Sequence, residues 1–136
     1  MKILVPIDGS RKSLQALRYA VNFAEKIDSQ VVVLNVQIES DVTIVEPISW
    51  DAPVLKERAE KVFSLAKKEL EGSKVNVEYK MLQGNPAREI IKYADDQKFD
   101  LVVIGAHGLS GIKEFLLGSV ANKVSRHSMV PTLIVK

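Results

Sequence analysis

The chain has 136 residues, room for one domain whose core buries roughly two-thirds of the unfolded surface without staples. A composition of 46% hydrophobic and 26% charged residues, with 7 Gly and 5 Pro, excludes a disordered, collagen-like or low-complexity chain. A formal charge of only +2 argues against nucleic acid as a partner, and the absence of Cys excludes disulfides, thiolate metal sites and a cysteine nucleophile.

The first apolar run, Ile3 to Ile7, has strand length but is too short for a signal-peptide core, and it ends in Asp8. Pro6 falls inside this run, where a missing N–H is costly, so it is expected near the strand's end, where pairing stops. Leu14, Leu17, Val21 and Ala24 are spaced as one helical face, with Ser10 or Ser13 as the cap. A second continuous apolar run covers Val31 to Val36. The stretch Ile38 to Asp51 has no clear period and carries Glu39, Asp41, Glu46 and Asp51 without a basic residue. Its length suits either a lid or binding segment, or a tolerated surface insertion.

Leu55, Ala59, Val62, Ala66 and Leu70 repeat the helical spacing, and Gly72 is placed to stop it. The third run, Val75 to Leu82, alternates: Val75, Val77, Tyr79 and Met81 on one side, Asn76, Glu78 and Lys80 on the other. That pattern predicts an edge strand with one wetter face. Asn85-Pro86 is a cap followed by proline at the first helical position, opening a helix through Ile90, Ile91 and Ala94. The fourth run is Leu101 to Ile104. A last helix runs from about Ser119 through Val120 and Val124 to Arg126 and His127, whose basic side chains suit a C-terminus.

Strands alternating with helices predict a doubly wound α/β domain, with five parallel strands in the order 3-2-1-4-5 and helices on both faces. The fifth run, Pro131 to Val135, then forms an apolar edge, which soluble proteins avoid leaving bare. Pairing with the same strand of a second copy would cover it, predicting a homodimer. Shielding of a short edge by the last helix is the other reading. No stretch approaches about 18 consecutive apolar residues, so no membrane span is expected and the cytoplasm is the default location.

The chemistry concentrates after the fourth run. Gly105-Ala106-His107-Gly108 follows the strand, and Gly118-Ser119 opens the last helix. Glycines there let backbone N–H groups approach an anion, and the N–H groups of Ser119 and Val120 sit at a positive helix end. In the order 3-2-1-4-5 the ligand crevice lies between strands one and four, so Asp8-Gly9-Ser10 comes against this loop. A carboxylate opposite a phosphate cradle suits ribose hydroxyls or a magnesium ion. The other reading of Asp8 is a helix-capping or loop residue. A Walker A motif and the GxGxxG fingerprint are both absent, so NAD and FAD are not favoured.

These residues resemble the universal stress protein family. Val5-Pro6-Ile7-Asp8-Gly9-Ser10 is similar to its opening strand and loop, and Gly84-Asn85-Pro86 to its turn after the third strand. Gly105-x2-Gly108-x9-Gly118-Ser119 matches the ungapped signature of its ATP-binding branch. The resemblance spans essentially the whole chain, 1–136. It implies a Rossmann-like fold of the adenine nucleotide alpha hydrolase type, dimerisation through the last strand, and bound ATP. Carried over by position, Pro6, Ile7 and Asp8 belong to the site, with Asp8 contacting ribose or Mg2+. Val36 and Ile104 would meet adenine through their backbones, and Gly105, Gly108, Gly118, Ser119 and Val120 would surround the phosphates. His107 reads as a loop histidine that packs or touches phosphate; no Ser-His-Asp order gives it a catalytic role. The implied function is nucleotide-dependent regulation in a stress response. The alternatives are slow hydrolysis of ATP or transfer of its phosphate or adenylyl group, for which no arginine finger stands at a diagnostic spacing, or a dimeric module with a vestigial site.

Overall fold

Continuously apolar strands need cover on both faces, and the computed structural model supplies it by setting a parallel sheet between two helical layers. Residues 1–38, 52–108 and 116–136 are described. In chain order the elements are β1 (Lys2–Pro6), α1 (Arg11–Ile27), β2 (Gln30–Gln37), α2 (Ala52–Glu69), β3 (Val77–Gln83), α3 (Pro86–Asp96), β4 (Leu101–Gly105), α4 (Ser119–His127) and β5 (Thr132–Val135). The five strands lie parallel in the order β3-β2-β1-β4-β5, as the apolar runs predict. Beyond Ile38, the acidic stretch to Asp51 lies outside the described residues.

Successive strand residues serve opposite faces. Ile3, Val5, Val31, Val33 and Val103 join the core under α1 and α2, whereas Leu4, Val32, Leu34, Val102 and Ile104 join the core under α3 and α4. Each such side chain, fully removed from water, contributes about 1.5–3 kcal/mol before entropy is counted. Helix α1 lies close on the sheet because its buried stripe is small, with Ala16, Ala20 and Ala24 each one turn apart. Ser10 is its cap, accepting from Ser13 N at 3.2 Å. In α3, Asn85 accepts from Arg88 N at 3.1 Å, and Pro86 takes the first helical position.

At the β3 edge the predicted alternation is present, with Val77, Tyr79 and Met81 half-buried and Glu78 and Lys80 exposed. Tyr79 meets Phe63 of α2 edge-on, with ring centroids 5.3 Å apart. Burial there pushes the Tyr79 hydroxyl pKa above its ordinary value. At the other edge all four residues of β5 are half-buried. Leu133 and Val135 pack toward the α1 face and Ile134 toward the α4 face, so the side chains are partly sheltered within one chain.

At three strand ends the apolar run extends past the strand. The ladder of β1 ends at Pro6 rather than Ile7, β3 begins at Val77 rather than Val75, and β5 begins at Thr132. In each case an apolar residue lies beyond the strand's bounds, because hydrophobicity reports burial and not strand geometry.

Gly105, the last residue of β4, decides how α1 sits. A Cβ built on it would lie 2.9 Å from Lys12 O and 3.2 Å from Ser13 N, so the first turn of α1 rests directly on the β4 backbone. Neither neighbour can yield without moving the helix. Gly105→Ala is therefore expected to destabilise the fold by about 1–3 kcal/mol in urea denaturation. An unchanged midpoint would show that α1 is free to lift from the sheet.

Candidate functional site

The site begins where two central strands part. Paired Cα partners join β1 to β4 only at Ile3–Leu101 and Leu4–Val102, while β1 stays with β2 as far as Pro6–Leu34. Ile7 N then donates to Leu34 O at 2.8 Å. Because successive residues of a strand address opposite neighbours, the missing N–H of Pro6 faces β4. The proline sits where that ladder has already ended, and the gap opens above Leu4.

On the β1 side, the loop is held by hydrogen bonds local to the turn. Ser10 N donates to Asp8 Oδ1 at 2.9 Å, and Ser13 Oγ donates to Ser10 O at 2.9 Å. Asn35, 3% exposed in an otherwise apolar strand, donates from Nδ2 to Ile7 O at 2.9 Å. This buried amide pins the chain immediately before Asp8. A polar residue inside the second apolar run was the available signal for it, and the periodicity alone passes over it.

On the β4 side, Gly118 N donates to Ala106 O at 2.7 Å, folding the start of α4 back onto the end of β4. That closeness leaves little room for a side chain, since a Cβ on Gly118 would sit 3.0 Å from the same carbonyl, which would have to shift. The two loops also meet each other. Asp8 Oδ2 lies 2.6 Å from the point where a Gly108 side chain would begin.

Between them is a cavity of about 360 Å3, a size typical of small-molecule sites. Pro6, Ile7, Asp8 and Val36 line it from one side, and Ile104, Gly105, His107 and Gly108 from the other. Gly118, Ser119 and Val120 close it at the start of α4. These eleven residues, all carried over by position in the sequence, therefore border one space, whereas Gly9 and Ser10 do not line it. Leu34, Pro86, Ile90 and Ala121 border it too, although the sequence presents them as core or helix-start residues. Their place on the cavity wall follows from α3 and α4 packing over the strand ends.

The electrostatics of this wall are unusual for an anion site. No lysine or arginine lines it among the described residues, and Asp8 is the single carboxylate there. Lys113 lies outside the described residues. Positive character comes instead from α4. Helices α1 and α3 are each capped by a side chain, but α4 starts at Gly118 with no side-chain cap. Its leading N–H groups thus remain available at the positive end of the helix. His107 adds a buried Nδ1 that has no hydrogen-bond partner. Such a group is costly unless a ligand or water meets it.

A phosphate fits these donors, and apolar Val36 and Ile104 beside them fit a flat base. One carboxylate suits a magnesium ion that takes its remaining ligands from phosphate and water. Among the described residues, no group of three or more His, Cys, Asp or Glu could hold a metal by itself. None of the described helices is long and apolar enough to cross a membrane.

The family model described as "Universal stress protein family" matches residues 1–136. Universal stress protein MJ0531 of Methanocaldococcus jannaschii is 37% identical, over 99% of this chain and 81% of its own length. The solved structure of MJ0577, from the same organism, superposes with a TM-score of 0.83 at 34% identity, covering 99% of this chain and 94% of that one. A universal stress protein solved in complex with cAMP superposes with a TM-score of 0.73 at 28% identity, over 100% of this chain and 97% of that one. The chain belongs to the universal stress protein family.

Proposed function

We propose that this universal stress protein binds ATP in the cavity between β1 and β4 and acts as a nucleotide-dependent regulatory factor. The observation that carries the reading is the uncapped start of α4, which faces into a cavity that has an apolar flank and a single carboxylate. The complex of a relative with cAMP supports an adenine nucleotide as the ligand class.

Each part of the nucleotide then has a partner. The N–H groups of Gly108, Ser119 and Val120 and the Ser119 hydroxyl hold the phosphates. Gly105 and Gly118 shape the cradle by letting backbone approach backbone. The carbonyls and amides near Val36 and Ile104 meet the adenine edge, and Pro6 and Ile7 form its floor. Asp8 takes the ribose hydroxyls or a phosphate-bound Mg2+. His107 Nδ1 gains its missing partner from the ligand. Regulation is favoured over turnover because no lysine or arginine borders the cavity among its described residues to stabilise a transferring phosphoryl group.

Ser119→Pro isolates the cradle. Proline is well accepted at the first helical position, and Gly118 already has the extended backbone that precedes a proline comfortably (φ −57°, ψ 152°). The change removes one N–H and one hydroxyl. ATP affinity by titration calorimetry should fall about 10–100-fold, the loss of one or two charge-assisted hydrogen bonds, with the thermal midpoint retained. Unaltered affinity would remove the phosphates from α4.

The same reading includes a homodimer through β5. Val102 N donates to Pro131 O, and Ala106 N to Val135 O, so odd-numbered β5 residues address β4 and Thr132 and Ile134 present their N–H groups outward. Thr132→Pro deletes one outward donor and leaves the β4 ladder whole. In sedimentation equilibrium the parent chain should be a dimer and Thr132→Pro a monomer. A parent monomer, or a variant that still dimerises as tightly, would place the interface elsewhere.

A further inference from the structure

A second surface, outside the nucleotide cavity, lies in the groove between α3 and α4. Arg88 and Lys92 line it from α3, Lys123 and His127 from α4, with Ala87 and half-buried Ile91 as its apolar floor. The two helices both start at the nucleotide cavity, through Pro86 and Ser119. On each helix the two basic side chains are four residues, about 6 Å, apart: Arg88 and Lys92 on α3, Lys123 and His127 on α4. The basic side chains on each wall thus recur at a spacing close to that of alternate residues of an extended peptide, about 6.6 Å.

None of these side chains forms an ion pair among the described residues. The ion pairs among the described residues are Arg18–Glu69 and Lys61–Glu57, and no carboxylate lines the groove. Two of the three acidic residues of α3 are turned to other tasks, and the third, Asp96, is exposed one helical turn beyond Lys92 at the end of the helix. Asp95 accepts from Ser128 Oγ at 2.8 Å and from Met129 N at 3.1 Å, and Glu89 lies against Gly84. In a chain whose net charge is only +2, such a concentration of one sign on one groove is a local feature.

We infer that the α3–α4 groove docks an acidic, extended peptide segment of a partner protein, with an apolar residue seated on Ile91. Charge complementarity carries the inference, and the apolar floor selects peptide over nucleic acid. Single-stranded nucleic acid would need aromatic platforms for its bases, and none lines the groove among the described residues. The groove starts at the α3 turn that borders the nucleotide cavity, so a docked segment would lie against the element that the nucleotide also touches.

The test uses a fluorescein-labelled octapeptide of six glutamates around two leucines, with its six-glutamine counterpart as control, followed by anisotropy. The acidic peptide should bind saturably. Binding should weaken steeply as salt rises from about 0.01 M to about 0.15 M, where the screening length falls from about 30 Å to about 8 Å. Arg88→Glu/Lys123→Glu should lower its affinity about ten-fold or more, with Arg88→Gln/Lys123→Gln as the milder pair should the reversal perturb folding. Circular dichroism establishes that each variant is folded. No saturable binding at low salt, equal binding of the glutamine peptide, or equal binding by the folded variants would overturn the proposal. Tighter binding of an oligothymidylate than of the acidic peptide, lost in the same variants, would also overturn it and give the groove to nucleic acid.

Discussion

The whole arrangement depends on one strand pairing ending early. β1 and β4 are neighbours at the centre of the sheet, yet their register stops at Leu4–Val102. Had it continued, the strand ends would be sealed by a ladder and the loops that follow would have no space between them. Pro6 enforces the opening, because it lacks the N–H that would next address β4, while β2 stays paired through the next residue, whose Ile7 N–H donates to Leu34 O. Asn35 completes the separation from the β2 side by fixing Ile7 O, so the chain leaves β1 in one direction and reaches Asp8 in a defined place. An amide buried to 3% exposure is tolerated there because that bond satisfies it.

The glycines of the β4 segment divide into two physical roles. Gly105 and Gly118 are packing glycines, in which a missing Cβ lets one backbone rest on another: α1 on β4 in the first case, α4 on Ala106 in the second. Gly108 faces Asp8 across the gap. A motif that reads as a phosphate loop is thus partly a device for holding two helix starts at the strand ends. The helix starts are not equivalent either. Ser10 and Asn85 cap α1 and α3 with their own side chains, whereas α4 is left uncapped at the cavity. An anion there would be met by main-chain donors and a helix end, which is consistent with a chain that carries almost no net charge.

Charge is placed elsewhere with some economy. The cavity wall holds a single carboxylate and no lysine or arginine among its described residues, while Arg88, Lys92 and Lys123 collect on the outer groove of α3 and α4. These two helices therefore carry different chemistry at different heights. Their first turns border the cavity, their inner faces bury Ile90, Ala94, Ala121 and Val124 against the sheet, and their outer faces hold the basic groove.

Much of this was legible from periodicity. Continuous apolar runs specified central strands covered on both faces, the alternation from Val77 to Met81 specified an edge, and Asn85-Pro86 specified a helix start, because each pattern reflects a local geometric repeat. The same repeats and the glycine spacing brought out Asp8 and the Gly105-to-Ser119 segment. What they could not carry was any relation between distant segments. Which glycine packs against which backbone, that Asn35 reaches Ile7, that Pro86 and Ile90 join the cavity wall, and that Arg88 and Lys123 share a groove are all consequences of how the layers meet. The sequence by itself determined the strands, the helices and their order, since those follow from the period of apolar residues along one chain. The tertiary structure alone decided where β1 and β4 separate and what faces the gap, since that depends on contacts between residues nearly a hundred positions apart.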